Sequence, residues 1–330
     1  MDSESTAAIP WLSAVCTQFQ QTREQGRLPH AVLILAREGL GAGQLARWMG
    51  EATLCESAAG PCGTCPSCVL LRAESHPDLH LVKREMKASG VMARDVTVEQ
   101  VRELIEAMQQ TSYRGGWKVG IVLEAHCLNL NGANAFLKTL AEPPPGTLLI
   151  LVSGPNHRLP ATISSRCQRV VIPVPERSVG VEWLATKGIG MPDAGQRLAL
   201  AQGAPFTARE FATDTVPRVE QEMSDDLERM AASRLDPSLT AERWLKTDFP
   251  LRLMWLENWI TDRIRAMSAP DPAGLKSVDA VGLSGSLLKA KIRTQFRFLD
   301  EVRDLKGLPD GINMQLALEG VLMRQFFKDH

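Results

Sequence analysis

The chain has 330 residues, of which 44% are hydrophobic and 23% are charged, a balance typical of a globular protein with packed cores. Its 37 basic and 38 acidic residues give a net charge of −1, which argues against a domain that grips DNA by charge alone. The first residues show no basic stretch before an apolar core, and no apolar run reaches the ~18 residues that span a bilayer, so we expect a cytoplasmic protein without a membrane segment.

The first half of the chain alternates short apolar runs with segments of helical periodicity. Continuous apolar runs with the length of buried strands lie at residues 31–36, 119–123 and 147–152, and residues 79–83 and 168–172 are two further candidate strands. Because strands alternate with helices, we expect an α/β fold with a parallel sheet covered by helices on both faces.

The second half carries helical patterns only. Strand-like runs stop after Pro173 and Pro175, and from residue 217 onward the apolar residues follow helical spacing. The predicted organisation is an α/β domain over residues 1–172, a small helical lid over 173–213 and an all-helical C-terminal domain over 214–330.

Four of the seven cysteines lie close together, at Cys55, Cys62, Cys65 and Cys68. A reducing compartment favours metal binding over disulfides for such a cluster. Four thiolates at ~2.3 Å complete the closed tetrahedral shell of a structural zinc, with no open position for catalysis. An iron–sulfur cluster, a redox dithiol and a chance grouping are the alternatives, and nothing else in the sequence indicates electron transfer. We therefore predict one structural zinc per chain.

The other three cysteines, Cys16, Cys127 and Cys167, are isolated in apolar or strand-like surroundings. We interpret them as small buried side chains.

The turn after the first predicted strand has the layout of a phosphate-binding loop, G-x-x-x-x-G-K-S/T, without its chemistry. Gly41 fills the second glycine position, but Ala36 replaces the first. Ala42 stands at the lysine position and Gly43 at the position of the hydroxyl that binds magnesium. Backbone N–H groups at the helix start could still face an anion, but the ammonium and the hydroxyl are missing.

A second hydrolase motif is degenerate as well. Nucleotide hydrolases end a buried strand with a magnesium-binding Asp, followed by a Glu that positions water. Here the Asp position holds Leu123, whereas Glu124 is retained. Two motifs that fail at their metal positions, in the right order along an α/β pattern, indicate an ATPase fold that has lost its activity.

Four blocks of sequence, together with the cysteines, resemble one family, the delta-prime subunits of the bacterial DNA polymerase III clamp loader, within the AAA+ class. The blocks are RLPHAVLI at 27–34, NLNGANAFLKTLAEPPPGTLLIL at 129–151, LPATISSRCQ at 159–168 with its Ser-Arg-Cys motif, and GAPFTA at 203–208. The detailed resemblance covers residues 27–208.

The resemblance implies an AAA+ domain with an inserted zinc module at 55–68, followed by a lid and a helical collar. It implies a stator-like subunit that does not hydrolyse ATP and that assists loading of the sliding clamp onto primer–template DNA. The implied partners are the tau/gamma motor subunits and the delta subunit. Arg166 would act as an arginine finger on the ATP site of a neighbouring subunit, and Thr207 stands about where active relatives have a phosphate-sensing arginine.

Two other functions remain open at this point. An active ATPase with a divergent loop would need another lysine and carboxylate at the nucleotide, and the sequence offers no candidate. A zinc-dependent DNA-binding protein would need a basic helix after the cysteines, and none is visible.

Overall fold

A computed structural model gives the fold of the chain. It describes residues 6–86, 93, 95–155, 159–211, 215–268, 285–306, 308 and 312–327. These residues form two compact units, the first within 1–194 and 203–209, the second within 195–202 and 210–330. The predicted boundary between 213 and 214 lies outside the described residues, and the division into three domains stays a prediction.

The first unit is built on a five-stranded parallel sheet. Its strands are β1 (Ala31–Leu35), β2 (Leu79–Val82), β3 (Lys118–Val122), β4 (Thr147–Ser153) and β5 (Gln168–Val171), in the order β2-β3-β4-β1-β5. All neighbours pair in parallel. Every strand end lies within one residue of its predicted position, so the predicted α/β fold is confirmed.

Nine α-helices of the described chain lie between residues 10 and 210, and eight of them accompany the sheet, whereas most of the eighth in chain order belongs to the second unit. The nine helices are α1 (Pro10–Glu24), α2 (Ala42–Leu54), α3 (Pro66–Arg72), α4 (Val98–Gln109), α5 (Leu130–Ala141), α6 (Ala161–Ser164), α7 (Arg177–Thr186), α8 (Met191–Leu200) and α9 (Pro205–Glu210). Local signals set the helix starts. At α4, for example, Thr97 and Gln100 form a capping box, with the Gln100 N–H 3.2 Å from Thr97 Oγ1.

The sheet brings several loops to one edge. β3 is buried at every position, and β4 at all but one. Since all strands run the same way, the residues that follow β1, β2 and β3 emerge at the same carboxyl edge, where ligands bind in open α/β sheets. The degenerate phosphate loop, Arg84 and Glu124 all lie there.

The second unit is helical, as predicted. It contains α10 (Thr215–Ala231), α11 (Pro237–Lys246), α12 (Phe249–Ser268), α13 (Gly285–Lys306) and α14 (Met314–Phe326). Its core includes Trp244, which is 1% exposed and donates its indole N–H to Asp226 Oδ2 at 2.8 Å. None of the helices in the described part of the chain has the length and apolar character that crossing a membrane requires.

Candidate metal centre and nucleotide loop

Four cysteine sulfurs converge at the end of α2 and the start of α3. Cys55 ends α2, and Cys65 caps the N-terminus of α3, whose first turn holds Cys68. The four Sγ atoms all lie within 4.8 Å of one another. The Sγ atoms of Cys55 and Cys65 are 3.9 Å apart, as are those of Cys62 and Cys68. Metal–sulfur bonds of ~2.3 Å in a tetrahedron give sulfur–sulfur edges of about 3.8 Å. The cluster could therefore hold a metal ion.

Backbone N–H groups face these sulfurs. The N–H groups of Cys62, Cys65 and Cys68 lie 3.4 Å from the Sγ atoms of Cys55, Cys62 and Cys65, respectively. Such bonds favour the thiolate. The backbone N–H groups of Thr64 and Cys65 lower the pKa of Cys62 to about 5, whereas burial raises the pKa of Cys68 to about 12. The loop thus supplies the N–H donors that a thiolate cluster needs.

Arg23 of α1 fastens the cysteine loop to the α/β body. Its guanidinium donates to the backbone carbonyl of Cys55 at 2.7 Å, of Ser57 at 3.0 Å and of Ala58 at 2.8 Å. Because a guanidinium presents several donors in a fixed plane, one side chain can orient three carbonyl groups of this turn.

Glu56 makes a second attachment. It accepts from Ser67 Oγ at 3.0 Å and from the Arg114 guanidinium at 2.7 Å, and the hydrogen bond from Arg114 lowers the pKa of Glu56. The Arg114 backbone N–H in turn donates to the buried Asp78 at 3.2 Å. The cysteine loop is therefore fixed to the loop that precedes β3.

The degenerate phosphate loop, residues 36–41, joins β1 to α2. Gly41 adopts a left-handed conformation (φ 88°) and caps α2 without a side-chain hydrogen bond. A Cβ placed on Gly43 would have Leu123 Cδ2 as its nearest neighbour, at 4.0 Å. The two positions at which the hydrolase pattern requires magnesium ligands are thus adjacent, but they hold glycine and leucine.

Glu124, the retained acid of the second motif, is engaged by Arg84. The Arg84 guanidinium donates from Nε to Glu124 Oε2 at 2.9 Å and from Nη2 to Oε1. Glu124 itself has a left-handed backbone (φ 56°). Both carboxylate oxygens of the retained acid are thus engaged by one guanidinium.

Arg166 lies at the surface between α6 and β5. Its neighbours Ile163 and Cys167 are buried and anchor this turn, and burial raises the pKa of Cys167 to about 11. The exposed Arg166 donates from Nη1 to the carbonyl of Thr162 at 2.8 Å, which also caps the end of α6. Its side chain is accessible to a neighbouring molecule.

Of the isolated cysteines, Cys16 and Cys167 are buried as predicted, whereas Cys127 is half-buried. Thr207, at the predicted phosphate-sensing position, lies directly against Gly39 of the phosphate loop. The segment 203–209 therefore touches this loop through a hydroxyl group.

Sequence patterns did not single out Arg23, Arg84 or Arg114. For Arg84 a signal exists, because Arg84 and Glu124 each lie two residues beyond paired strand ends, Val82 and Val122. That equal offset becomes informative only once β2 and β3 are known to be neighbours.

Comparison with known proteins identifies the family of the chain. Residues 11–176 match the family model described as DNA polymerase III, delta subunit. The chain is 32% identical to the DNA polymerase III subunit delta′ of Pseudomonas aeruginosa, over 82% of this chain and 81% of the relative. It is 28% identical to the subunit of the same name from Escherichia coli, over 96% of this chain and 94% of the relative. The tau subunit of Escherichia coli is 33% identical over 46% of this chain and 23% of its own length. The chain belongs to the DNA polymerase III delta-prime family.

Proposed function

We propose that this chain is a stator-like subunit of the DNA polymerase III clamp loader, a component that supports ATP-dependent clamp loading without hydrolysing ATP itself. Membership of the delta-prime family supports the place in replication. The non-hydrolysing role rests on one observation, the adjacent positions of Gly43 and Leu123. The hydrolase pattern requires magnesium ligands at these two positions, and neither residue has a side-chain oxygen to bind the ion.

Loss of catalytic groups at this loop removes both binding and chemistry. Ala42 cannot supply the ammonium that a phosphate-binding lysine provides, and one such charge-assisted contact is worth about 1.5–3 kcal/mol, or roughly ten- to hundredfold in affinity. Both carboxylate oxygens of Glu124 accept hydrogen bonds from the Arg84 guanidinium. The isolated chain therefore neither binds Mg–ATP tightly nor turns it over.

Arg166 is the group through which the chain would act on a partner. We assign it as an arginine finger that reaches the ATP site of a neighbouring tau/gamma motor subunit. Its exposure at the turn before β5 supports this role. A guanidinium neutralises the charge that develops on the transferred phosphoryl group, and in well-studied hydrolases this contributes about 10³–10⁵ in rate.

The cysteine cluster is assigned to one structural zinc, held by Cys55, Cys62, Cys65 and Cys68. The spacing of the sulfurs fits four zinc–thiolate bonds, and four protein ligands leave no position for a substrate. When bound, the ion would crosslink the ends of α2 and α3.

The further partners of this assembly would be the delta subunit and, through the complex, the sliding clamp and primer–template DNA, in the cytoplasm. A net charge of −1 fits a subunit whose contact with DNA is shared with its partners.

Co-purification with the tau/gamma motor subunits tests this function, together with ATPase assays of the isolated chain and of the reconstituted loader. We expect a stable complex, no turnover by the isolated chain, and DNA-stimulated turnover that needs this chain. A micromolar dissociation constant for Mg–ATP, or turnover that Glu124→Gln abolishes in the isolated chain, would contradict the proposal.

A further inference from the structure

Residues of the same compact unit close over the degenerate phosphate loop. The Phe206 N–H donates to the carbonyl of Gly39 at 3.1 Å. A Cβ built on Gly39 would lie 2.0 Å from Thr207 Oγ1 and 2.9 Å from Thr207 Cβ. The start of α9 is therefore in contact with the loop at a point where no side chain fits.

The contact continues at the next two residues of the loop. Trp11 donates its indole N–H to the carbonyl of Leu40 at 2.9 Å, and Leu40 is fully buried. A Cβ on Gly41 would lie 2.8 Å from the ring of Phe206 and 3.2 Å from Leu12 Cδ1. Side chains of the protein thus cover residues 39–41 from two elements, α1 and α9.

Three aromatic rings join these elements. Trp11, Trp183 and Phe206 pack with centroid separations of 5.2 Å, 5.9 Å and 5.0 Å, two of the pairs edge-to-face. All three side chains are at least nine-tenths buried. Aromatic rings at these distances attract one another beyond their burial, so the cluster resists displacement.

We propose that Trp11, Trp183, Phe206 and Thr207 form an aromatic plug that seats the 203–209 segment on the phosphate loop and keeps nucleotide out of it. This inference rests on the proposed non-hydrolysing function and adds a second, steric cause to it. The phosphate loop then serves as a packing contact for the 203–209 segment. Restoring the missing catalytic side chains does not by itself restore nucleotide binding.

The first test restores the loop chemistry with and without the plug. The loop-restored variant carries Ala42→Lys, Gly43→Thr and Leu123→Asp, and a Cβ at Gly43 would lie 4.0 Å from its nearest neighbour, Leu123 Cδ2. The opened variant carries Phe206→Ala and Thr207→Ala in addition, and a control carries these last two alone. Binding of Mg–ATP is measured by calorimetry, and folding by far-ultraviolet circular dichroism.

We expect the loop-restored variant and the control to bind Mg–ATP no more tightly than the unaltered chain. The opened variant should bind at least tenfold more tightly than the loop-restored one. If the opened variant folds but binds Mg–ATP with the same affinity as the loop-restored variant, the plug is overturned.

A second measurement needs no nucleotide and covers the case in which the opened variant does not fold. Gly39→Ala and Gly26→Ala both place a side chain at a positive φ, 76° and 65°, but only Gly39 has atoms close to the new Cβ. We expect Gly39→Ala to lower the melting temperature more than Gly26→Ala does. In a double-mutant cycle, Thr207→Gly should remove most of that excess.

Equal losses for the two glycine variants, or no coupling between positions 39 and 207, would overturn the seating of the segment. Failure of the plug stays distinct from failure of the proposed function. Nucleotide binding by the unaltered chain contradicts the function, whereas tight binding by the loop-restored variant contradicts the plug alone.

Discussion

Each cysteine of the cluster contributes differently to a metal site. Cys62 and Cys65 are partly exposed and their pKa values are lowered, whereas burial raises those of Cys55 and Cys68. Metal binding requires all four as thiolates, so the ion has to displace protons from the two buried sulfurs. The segment 55–68 is too short for a core of its own, and metal–thiolate bonds would therefore hold its shape.

For Cys65→Ser we predict loss of zinc and a lower melting temperature, because three thiolates leave the tetrahedral shell incomplete. Freshly purified, reduced protein should contain about one zinc per chain by elemental analysis. Cys127→Ser, outside the cluster, is the control and should keep the metal. Protein without zinc, or with iron and visible absorbance, would show this assignment to be wrong.

Single residues differ in how far sequence reveals their role. The cysteine cluster could be predicted because all four cysteines lie within 14 residues and their spacing is itself the signal. The Arg84–Glu124 pair joins residues that are 40 positions apart in the sequence. Gly39 and Thr207, which are in contact, lie even farther apart along the chain. Such pairs follow from strand order and from the seating of α9, neither of which local patterns encode.

At the scale of elements, α1 and the cysteine loop are joined chiefly through Arg23. We predict that Arg23→Ala lowers the free energy of unfolding by about 1–2 kcal/mol, since three carbonyl groups lose a charged donor. It should also speed the release of zinc to a chelator. Arg27→Ala, an exposed arginine just after α1, is the matched control. If both variants released zinc to the chelator at the same rate, Arg23 would not be what holds the cysteine loop on α1.

In the helical unit, α10 and α12 are linked by Glu222 and the buried Arg252, whose side chain is 2% exposed. We predict that Glu222→Gln costs about 1–2 kcal/mol of unfolding free energy, a value reduced because Glu222 is 42% exposed. The control is Glu242→Gln, which breaks an exposed pair with Lys246 and should cost clearly less, because solvent screens exposed pairs. Thermal or urea unfolding measures both, and equal costs would refute the buried pair's role.

The Glu222–Arg252 pair also makes the free energy of unfolding depend on pH. Burial raises the pKa of Glu222, but the hydrogen bonds and positive charges of Arg252 and Arg218 together outweigh burial and lower the pKa below its ordinary value. The stabilisation is therefore full above the ordinary carboxyl pKa and is lost as the pH falls through the lowered one. Glu222→Gln should lack this part of the acid-side loss of stability.

Elements were the level at which sequence reasoning worked best. The central strands β1, β3 and β4 could be located to within a residue because continuous apolar runs mark strands buried on both faces, whereas the more exposed edge strands β2 and β5 carry a mixed polar and apolar pattern. The order of the strands, β2-β3-β4-β1-β5, could not be predicted, since any of the runs can pair with any other by pattern alone. Helical stripes likewise predicted an all-helical second unit, but not the burial of Arg252 within it.

At the scale of the whole molecule, the chain combines a phosphate-loop pattern that lacks its lysine and its hydroxyl with an exposed arginine, Arg166, at the turn before β5. Such a combination suits a subunit that completes a neighbour's ATP site. Its own fold would then have to be rigid rather than responsive to nucleotide.

Arg166→Ala in the reconstituted loader is the most direct test of this central claim. We predict normal folding, zinc content and assembly, with slower ATP hydrolysis and clamp loading. The decrease in the rate of ATP hydrolysis should be smaller than the factor of about 10³–10⁵ that an arginine finger contributes, because the other ATP sites keep their own arginines. Arg166→Lys should recover little, since a point charge does not reproduce bidentate contact with phosphate.

The matched control is Arg169→Ala, an exposed arginine three residues away that should be nearly silent. Clamp loading is followed on primed DNA with each variant assembled beside the motor subunits. A clear loss with Arg166→Ala and none with Arg169→Ala is the predicted result. Loading at the unaltered rate with Arg166→Ala, or a loss caused only by unfolding of the chain, would contradict the arginine finger.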